Sequence, residues 1–141
     1  MERQSILTAE RPPLLRAVIE EHVLRRPIGG RDTMKAQLDH LLDVSARPHV
    51  GVYVVPMSTE THPGQDGPFL LFTVPEQGVV AYTETRVSGT PTDDRDVVGG
   101  YVGVFGELGI TALPPSGSRR LIAAIRRDFD DGQRPVAEEY V

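Results

Sequence analysis

Apolar residues recur along this chain with two different periods. Met34, Leu38, Leu41 and Leu42 fall at i, i+4, i+7 and i+8, which lays one stripe along residues 31–46 and predicts a helix. Asp32, Lys35, Asp39, His40 and Asp43 lie largely off that stripe, Asp32 suits the positive end of the helix dipole, and Arg47-Pro48 stops the run. Leu121, Ile122, Ile125 and Phe129 repeat the pattern after Pro114-Pro115-Ser116, with Arg119, Arg120, Arg126 and Arg127 mostly outside the apolar face. Between these helices three segments read as strands. Val50–Val55 is apolar on both faces and is expected in the middle of a covered sheet. Phe69–Val74 is bounded by Pro68 and Pro75, and 79–85 follows a short turn at hairpin spacing.

Two segments stay open. Leu15, Val18, Ile19 and Val23 have helical spacing, yet Leu15, Ala17, Ile19, Glu21 and Val23 share one face of a strand. Residues 97–109 carry a helical stripe of Val97, Tyr101, Val104, Phe105 and Leu108 behind a capping Asp93 or Asp94. The same stretch holds Gly99, Gly100, Gly103, Gly106 and Gly109, each costing a helix about 1 kcal/mol relative to alanine, so 101–105 also reads as a strand. Residues 88–95 read as a loop. The element order implies an α+β domain in two layers, a small mainly antiparallel sheet packed by about three helices. Residues 1–13 form a lead-in, 14–130 the domain and 131–141 a polar tail.

Composition narrows the chemistry. At 141 residues one domain is the expected count, and the absence of cysteine removes disulfides, thiolate metal sites and cysteine nucleophiles together. A net charge of −5 argues against a large nucleic-acid footprint. Only one of the 15 basic residues is a lysine, Lys35, an arginine bias that points to a GC-rich genome. The longest apolar run, 50–56, is far shorter than the roughly 20 residues of a membrane span. No secretory leader is visible, so the expected location is the cytoplasm.

No phosphate loop, nucleophile elbow or zinc-protease motif is present. His22, His40, His49 and His62 are scattered, so no metal and no cofactor are expected. Glu21 and Glu84 each share a strand face with apolar residues if both segments are strands, Glu84 beside Val80 and Tyr82. An inward carboxylate is costly unless paired. With Tyr82, the two define a candidate pocket for a cation, an amine or a partner's arginine; otherwise each bonds an arginine or a backbone amide and serves structure. The crowded glycines read as close helix packing, as simply a weak helix, or as a surface left bare for a ligand or a partner's backbone.

Several segments occur here in a fixed order: Met1-Glu2-Arg3-Gln4-Ser5-Ile6-Leu7, Val18-Ile19-Glu20-Glu21-His22-Val23-Leu24-Arg25-Arg26-Pro27-Ile28-Gly29, and Met34-x-x-Gln37-Leu38-x-x-Leu41-Leu42. Val50-x-Val52-x-Val54-x-Pro56, His62-Pro63-Gly64-x-x-Gly67-x-Phe69 and Val80-x-Tyr82-x-Glu84 follow. Together, over roughly residues 1–129, they resemble the C-terminal domain of unknown function of actinobacterial helix-turn-helix regulators of the XRE class, the WhiJ-like, antitoxin-like group. The positions that match best are Glu21, Leu24, Gln37, Leu38, Pro56, Gly67, Phe69 and Glu84. The resemblance implies a sensor or interaction domain that receives a small acidic or neutral protein encoded nearby, or a small-molecule effector. It brings no catalytic residues with it. The expected binding residues are Glu21, His22, Gln37, Phe69, Tyr82, Glu84 and Tyr101, and a homodimer is open.

Two departures from the resemblance stand out. No helix-turn-helix is visible, so the expectation is either an excised domain or a stand-alone relative that does not contact DNA itself. The penultimate helix, usually rich in Arg, Phe and Leu in that group, is glycine-rich here. The competing expectation is therefore a stand-alone enzyme or small-molecule binder with a pocket between the sheet and the glycine-rich segment. There Glu21 and Glu84, beside Tyr82, act as acid/base or orienting groups. Genomic context separates the two readings: a small paired gene favours regulation, a biosynthetic cluster favours catalysis.

Overall fold

The computed structural model of the chain describes residues 2–131, so the polar tail expected from 131 onward lies, apart from Asp131, outside the described residues. The fold is α+β, and it divides into two compact units. The first takes residues up to Ser58 and from Ala112 onward; the second is Thr59–Thr111.

In the first unit the ambiguous segment is a strand followed by a helix. Strand β1 is Leu15–Glu20, and Glu21–Arg25 turns at once into the short helix α1. Gly29 and Gly30 then take φ of 79° and 97°, a region side chains disfavour, and turn the chain into α2, Arg31–Ser45. Strand β2, Val50–Val55, returns parallel to β1, with Leu15 opposite Val50 and Glu20 opposite Val55. A parallel return needs a helical crossover, which α1 and α2 supply. The last helix of the unit, α4 (Pro115–Asp130), packs on α2 and β2. Leu24, Met34, Leu38, Val50, Val52, Val54, Ile122, Ile125 and Phe129 make the core. Both predicted helical stripes are therefore core faces.

The expectation for β2 needs correction. It is not a central strand, because among the described residues its sheet consists of β1 and β2. Its apolar character has another cause. Val50, Val52 and Val54 face the helices, while the strand's outer edge is closed by chain rather than by a third strand. The Val54 carbonyl accepts from the Leu113 N–H at 2.8 Å, and the Val54 N–H donates to Ser118 Oγ at 2.8 Å. The same hydroxyl donates to the Leu113 carbonyl at 3.0 Å. Ser118 is fully buried and carries every hydrogen bond its hydroxyl needs at that position.

The lead-in contains a helical turn and packs onto the core. Glu2–Thr8 forms a 3-10 turn, Leu7 packs against the core, and His49 Nε2 meets the Leu7 carbonyl at 2.9 Å. A carbonyl only accepts, so His49 carries its proton on Nε2 there.

The second unit holds the antiparallel meander. Strands β3 (Phe69–Val74), β4 (Gly78–Glu84) and β5 (Gly89–Thr92) pair in the order β3-β4-β5. Residues 88–95 are thus not simply a loop. Pro91 hides the strand in the sequence, yet β5 is an edge strand, where proline is tolerated. Asp94 caps α3, Arg95–Thr111, its carboxylate accepting from the N–H groups of Asp96 and Val97 at 3.1 Å each. The glycine-rich segment is therefore a helix throughout. Its buried anchors are Val98 and Leu108, while Val97, expected on the inner stripe, is half-exposed.

Charged pairs join the first unit's helices. Arg126 donates to Asp39 at 2.9 Å and to Asp130 at 2.6 Å, and Lys35 lies 2.8 Å from Asp130. Hydrogen bonds from Arg126 and then Lys35 hold the Asp130 carboxyl down at about 2, against an ordinary 3.8. A depressed carboxylate stabilises the fold above its ordinary pKa, so this contribution is complete above about pH 4 and disappears as pH falls through about 2. Acid unfolding followed by circular dichroism is expected to lose its steepest Asp130-dependent portion in that window, and Asp130→Asn to flatten it. Replacing Ser118 with alanine leaves the Val54 N–H buried without an acceptor, so unfolding in urea is expected to show a loss of about 1–3 kcal/mol.

Candidate functional site

The expected carboxylate pair belongs to two different units, Glu21 to the first and Glu84 to the second. Glu21 opens α1 rather than lying on β1, so the strand alternation that turned it inward does not apply. Its Oε2 accepts from Arg25 Nε at 2.7 Å and its Oε1 from the Met57 N–H at 3.2 Å. Arg25 also donates to Asp128 at 3.0 Å. Burial pulls the Arg25 guanidinium toward a lower pKa, but its hydrogen bonds to Glu21 and Asp128 outweigh it and raise the value. Glu21 therefore bonds an arginine and a backbone amide, tying α1 to the end of β2 and, through Arg25, to α4. His22, beside it on α1, places Nδ1 3.2 Å from Glu20 and is half-exposed. Gln37 is exposed on α2.

In the second unit strand alternation sorts the remaining candidates. Phe69, Leu71 and Thr73 lie opposite Thr83, Ala81 and Val79, and this face turns toward α3. Ala81 is fully buried there, and the Phe69 and Tyr101 rings sit 4.9 Å apart, tilted by 40°. Such a tilted pair is a favourable aromatic contact. Leu108 packs over Gly64 in the 3-10 turn Pro63–Asp66, where His62 Nδ1 caps the turn by accepting from the Gly64 N–H at 3.1 Å.

Leu70, Phe72, Val80, Tyr82 and Glu84 take the opposite face. Glu84 is exposed at the end of β4 and is not inward. It cannot line a pocket between the sheet and α3, because it lies one residue out of phase with the α3-facing set. Tyr82 lays its ring over Gly89 of β5, close enough that a Cβ there would collide with the phenol. Glycine at 89 is what lets Tyr82 lie flat across the strand pair.

Of the readings open for the glycines of α3, close packing does not hold and a bare surface does. A Cβ added at Gly99, Gly100, Gly103, Gly106 or Gly109 would meet nothing within 4 Å. They are not a close-packing device within the unit and do not border a pocket under the helix. They share the outer side of α3 with Val102, 46% exposed, and Ile110, 87% exposed.

The structure thus brings Phe69 and Tyr101 together on one side of the sheet, and Tyr82 and Glu84 together on the other. The residues that sequence reasoning passed over are Leu70 and Phe72. Each is about half exposed, at 54% and 50%, side by side on the outer face of β3. A six-residue apolar run reads as a strand covered on both faces, so only the register reveals which half is bare.

Residues 1–124 match the family model described as Domain of unknown function (DUF5753), and the chain belongs to that family. No curated protein and no solved structure matches it. No single helix among the described residues is long and apolar enough to cross a membrane.

The two glutamates are expected to separate cleanly on substitution. Glu21→Gln weakens the Arg25 clamp and is expected to lower stability by about 1.5–3 kcal/mol, the range for hydrogen bonds to charged groups. Glu84→Gln, on an exposed position, is expected to stay within about 0.5 kcal/mol of the parent. Paired denaturant titrations read both.

Proposed function

We propose that this chain is the sensor or protein-interaction domain of an actinobacterial transcriptional regulator of the XRE type, and that the second unit receives a small partner protein. What carries this reading is the bare outer face of the β3-β4-β5 sheet. Leu70 and Phe72 are both half exposed there, continued by Val80 and Tyr82 on the neighbouring strand. Contiguous apolar surface of this kind is uncommon on a protein that works alone and marks interaction sites. An open sheet face suits a protein surface better than a small effector, which needs a concave site that encloses it. Arg86 and Arg95 are the only basic residues in 59–111 and are outnumbered by carboxylates, so a neutral partner fits better than an acidic one.

The rival enzyme reading loses its main support at Glu21. A carboxylate already committed to Arg25 and to the Met57 amide is poorly placed to exchange protons with a substrate.

The test is co-expression with the small proteins encoded beside its gene, followed by calorimetry on any complex that co-purifies. Leu70→Asp and Phe72→Asp are each expected to weaken that complex at least about tenfold, with the circular dichroism spectrum unchanged. No complex with any of these proteins at about 100 μM, or an affinity indifferent to both substitutions, would sink the proposal.

A further inference from the structure

The two-stranded parallel sheet of the first unit has one edge closed by returning chain and one edge along which no strand pairs among the described residues. On β2 the edge is occupied at Val54 by Leu113 and Ser118. On β1 no strand lies alongside among the described residues. The Leu15 N–H donates to the His49 carbonyl at 2.9 Å, so Leu15, Ala17 and Ile19 direct their backbone groups toward β2. Arg16, Val18 and Glu20 therefore direct theirs outward. Small parallel sheets are normally covered, and an open edge is a template for another strand.

The order of side chains along that edge says which strand fits. Arg16 and Glu20 lie symmetrically about Val18 on the face away from the core, where Ile19 packs inward. Arg16 is exposed and makes no ion pair among the described residues. An antiparallel pairing of β1 with β1 of a second copy, centred on Val18, puts Val18 opposite Val18. It also puts each Arg16 opposite the Glu20 of the other copy. Val18 then exchanges both backbone hydrogen bonds with its counterpart, and the Glu20 N–H reaches the Arg16 carbonyl. Arginine and glutamate directly opposite across an antiparallel pair attract, and the two-fold axis makes both contacts at once. Glu20 already holds His22 at 3.2 Å; the arginine of a second copy adds a cation charged at every pH near neutral. The same register brings Leu14, 79% exposed, beside the start of α1 in the second copy, where Val23 is also exposed.

We infer that the chain forms a symmetric dimer through the β1 edge, joining the two parallel pairs into one four-stranded sheet with Arg16–Glu20 contacts across the axis. This inference does not depend on the partner-binding face of the second unit, which lies on other strands.

Sedimentation velocity on the full chain, from about 1 to 200 μM, is expected to show a monomer–dimer equilibrium that weakens with added salt. Arg16→Glu places glutamate opposite glutamate twice and is expected to raise the dimer Kd at least about tenfold; Glu20→Arg does the same with arginines. The double variant Arg16→Glu with Glu20→Arg restores opposite charges and is expected to return to within about threefold of the parent. Val18→Pro removes only an outward N–H, so it is expected to abolish the dimer while circular dichroism stays that of the folded chain. Amide exchange at Val18 is expected to slow with rising concentration in the parent. A parent that stays monomeric across the range overturns the inference. A dimer that tolerates Val18→Pro or both single charge reversals also overturns it, since it then forms through another surface.

Discussion

The fold depends on how the backbone of Val54 is satisfied. A buried strand edge cannot leave its N–H and C=O groups without partners, and at Val54 both are taken by chain that returns 59 residues later, beginning at Leu113. Ser118 completes the arrangement by accepting from one side and donating to the other. This one contact seats the start of α4 against β2, which brings Ile122, Ile125 and Phe129 onto Val50, Val52 and Val54. It also joins the two stretches of the first unit that lie on either side of Thr59–Thr111 in the sequence. With β2 sealed in this way, β1 is the edge along which no further strand pairs among the described residues.

Around that edge the charged residues act as fasteners. Glu21, Arg25 and Asp128 tie α1 to β2 and α4, and Arg126, Asp130, Lys35 and Asp39 tie α4 to α2. The arginines of the last helix look like a solvated face when only their spacing is considered. Arg126 instead reaches across to α2, and Arg119 reaches Ser45 at 3.2 Å and the Leu42 carbonyl at 3.4 Å. Long side chains lie along apolar surface and carry their charge to a neighbouring helix, which periodicity alone does not report. The second unit has a different character. Its interior is small, held by Ala81, Val98, Leu108 and the Phe69–Tyr101 pair, and much of its apolar surface faces outward.

The legible parts of the chain were those where one local rule acts alone. The stripes of α2 and α4, the strand at Val50–Val55, the hairpin from β3 to β4 and the Asp94 cap follow from spacing and from side-chain chemistry within a few residues. Where two rules competed, the sequence left alternatives. Residues 14–26 satisfied both periods because they contain both structures in succession, joined at Glu20 and Glu21. Strand β5 was masked by Pro91, whose missing N–H matters only if the strand is internal. The candidate site was less legible still. Glu21 was identified as a carboxylate needing a partner, and its partner Arg25 sits four residues along the same helix, but that contact exists only once 21–25 is helical.

Local sequence determined the α+β character, the two amphipathic helices, the position of the meander and the need of Glu21 for a counter-charge, since each follows from interactions between near neighbours. The tertiary structure decided that β1 and β2 run parallel, that Ser118 seals the edge, that Glu84 faces away from α3 and that the glycines of α3 face outward. These depend on register and on contacts between residues far apart in the chain. A shift of one residue in strand register moves a whole face from core to solvent, and no spacing within a segment records which face its partner will cover.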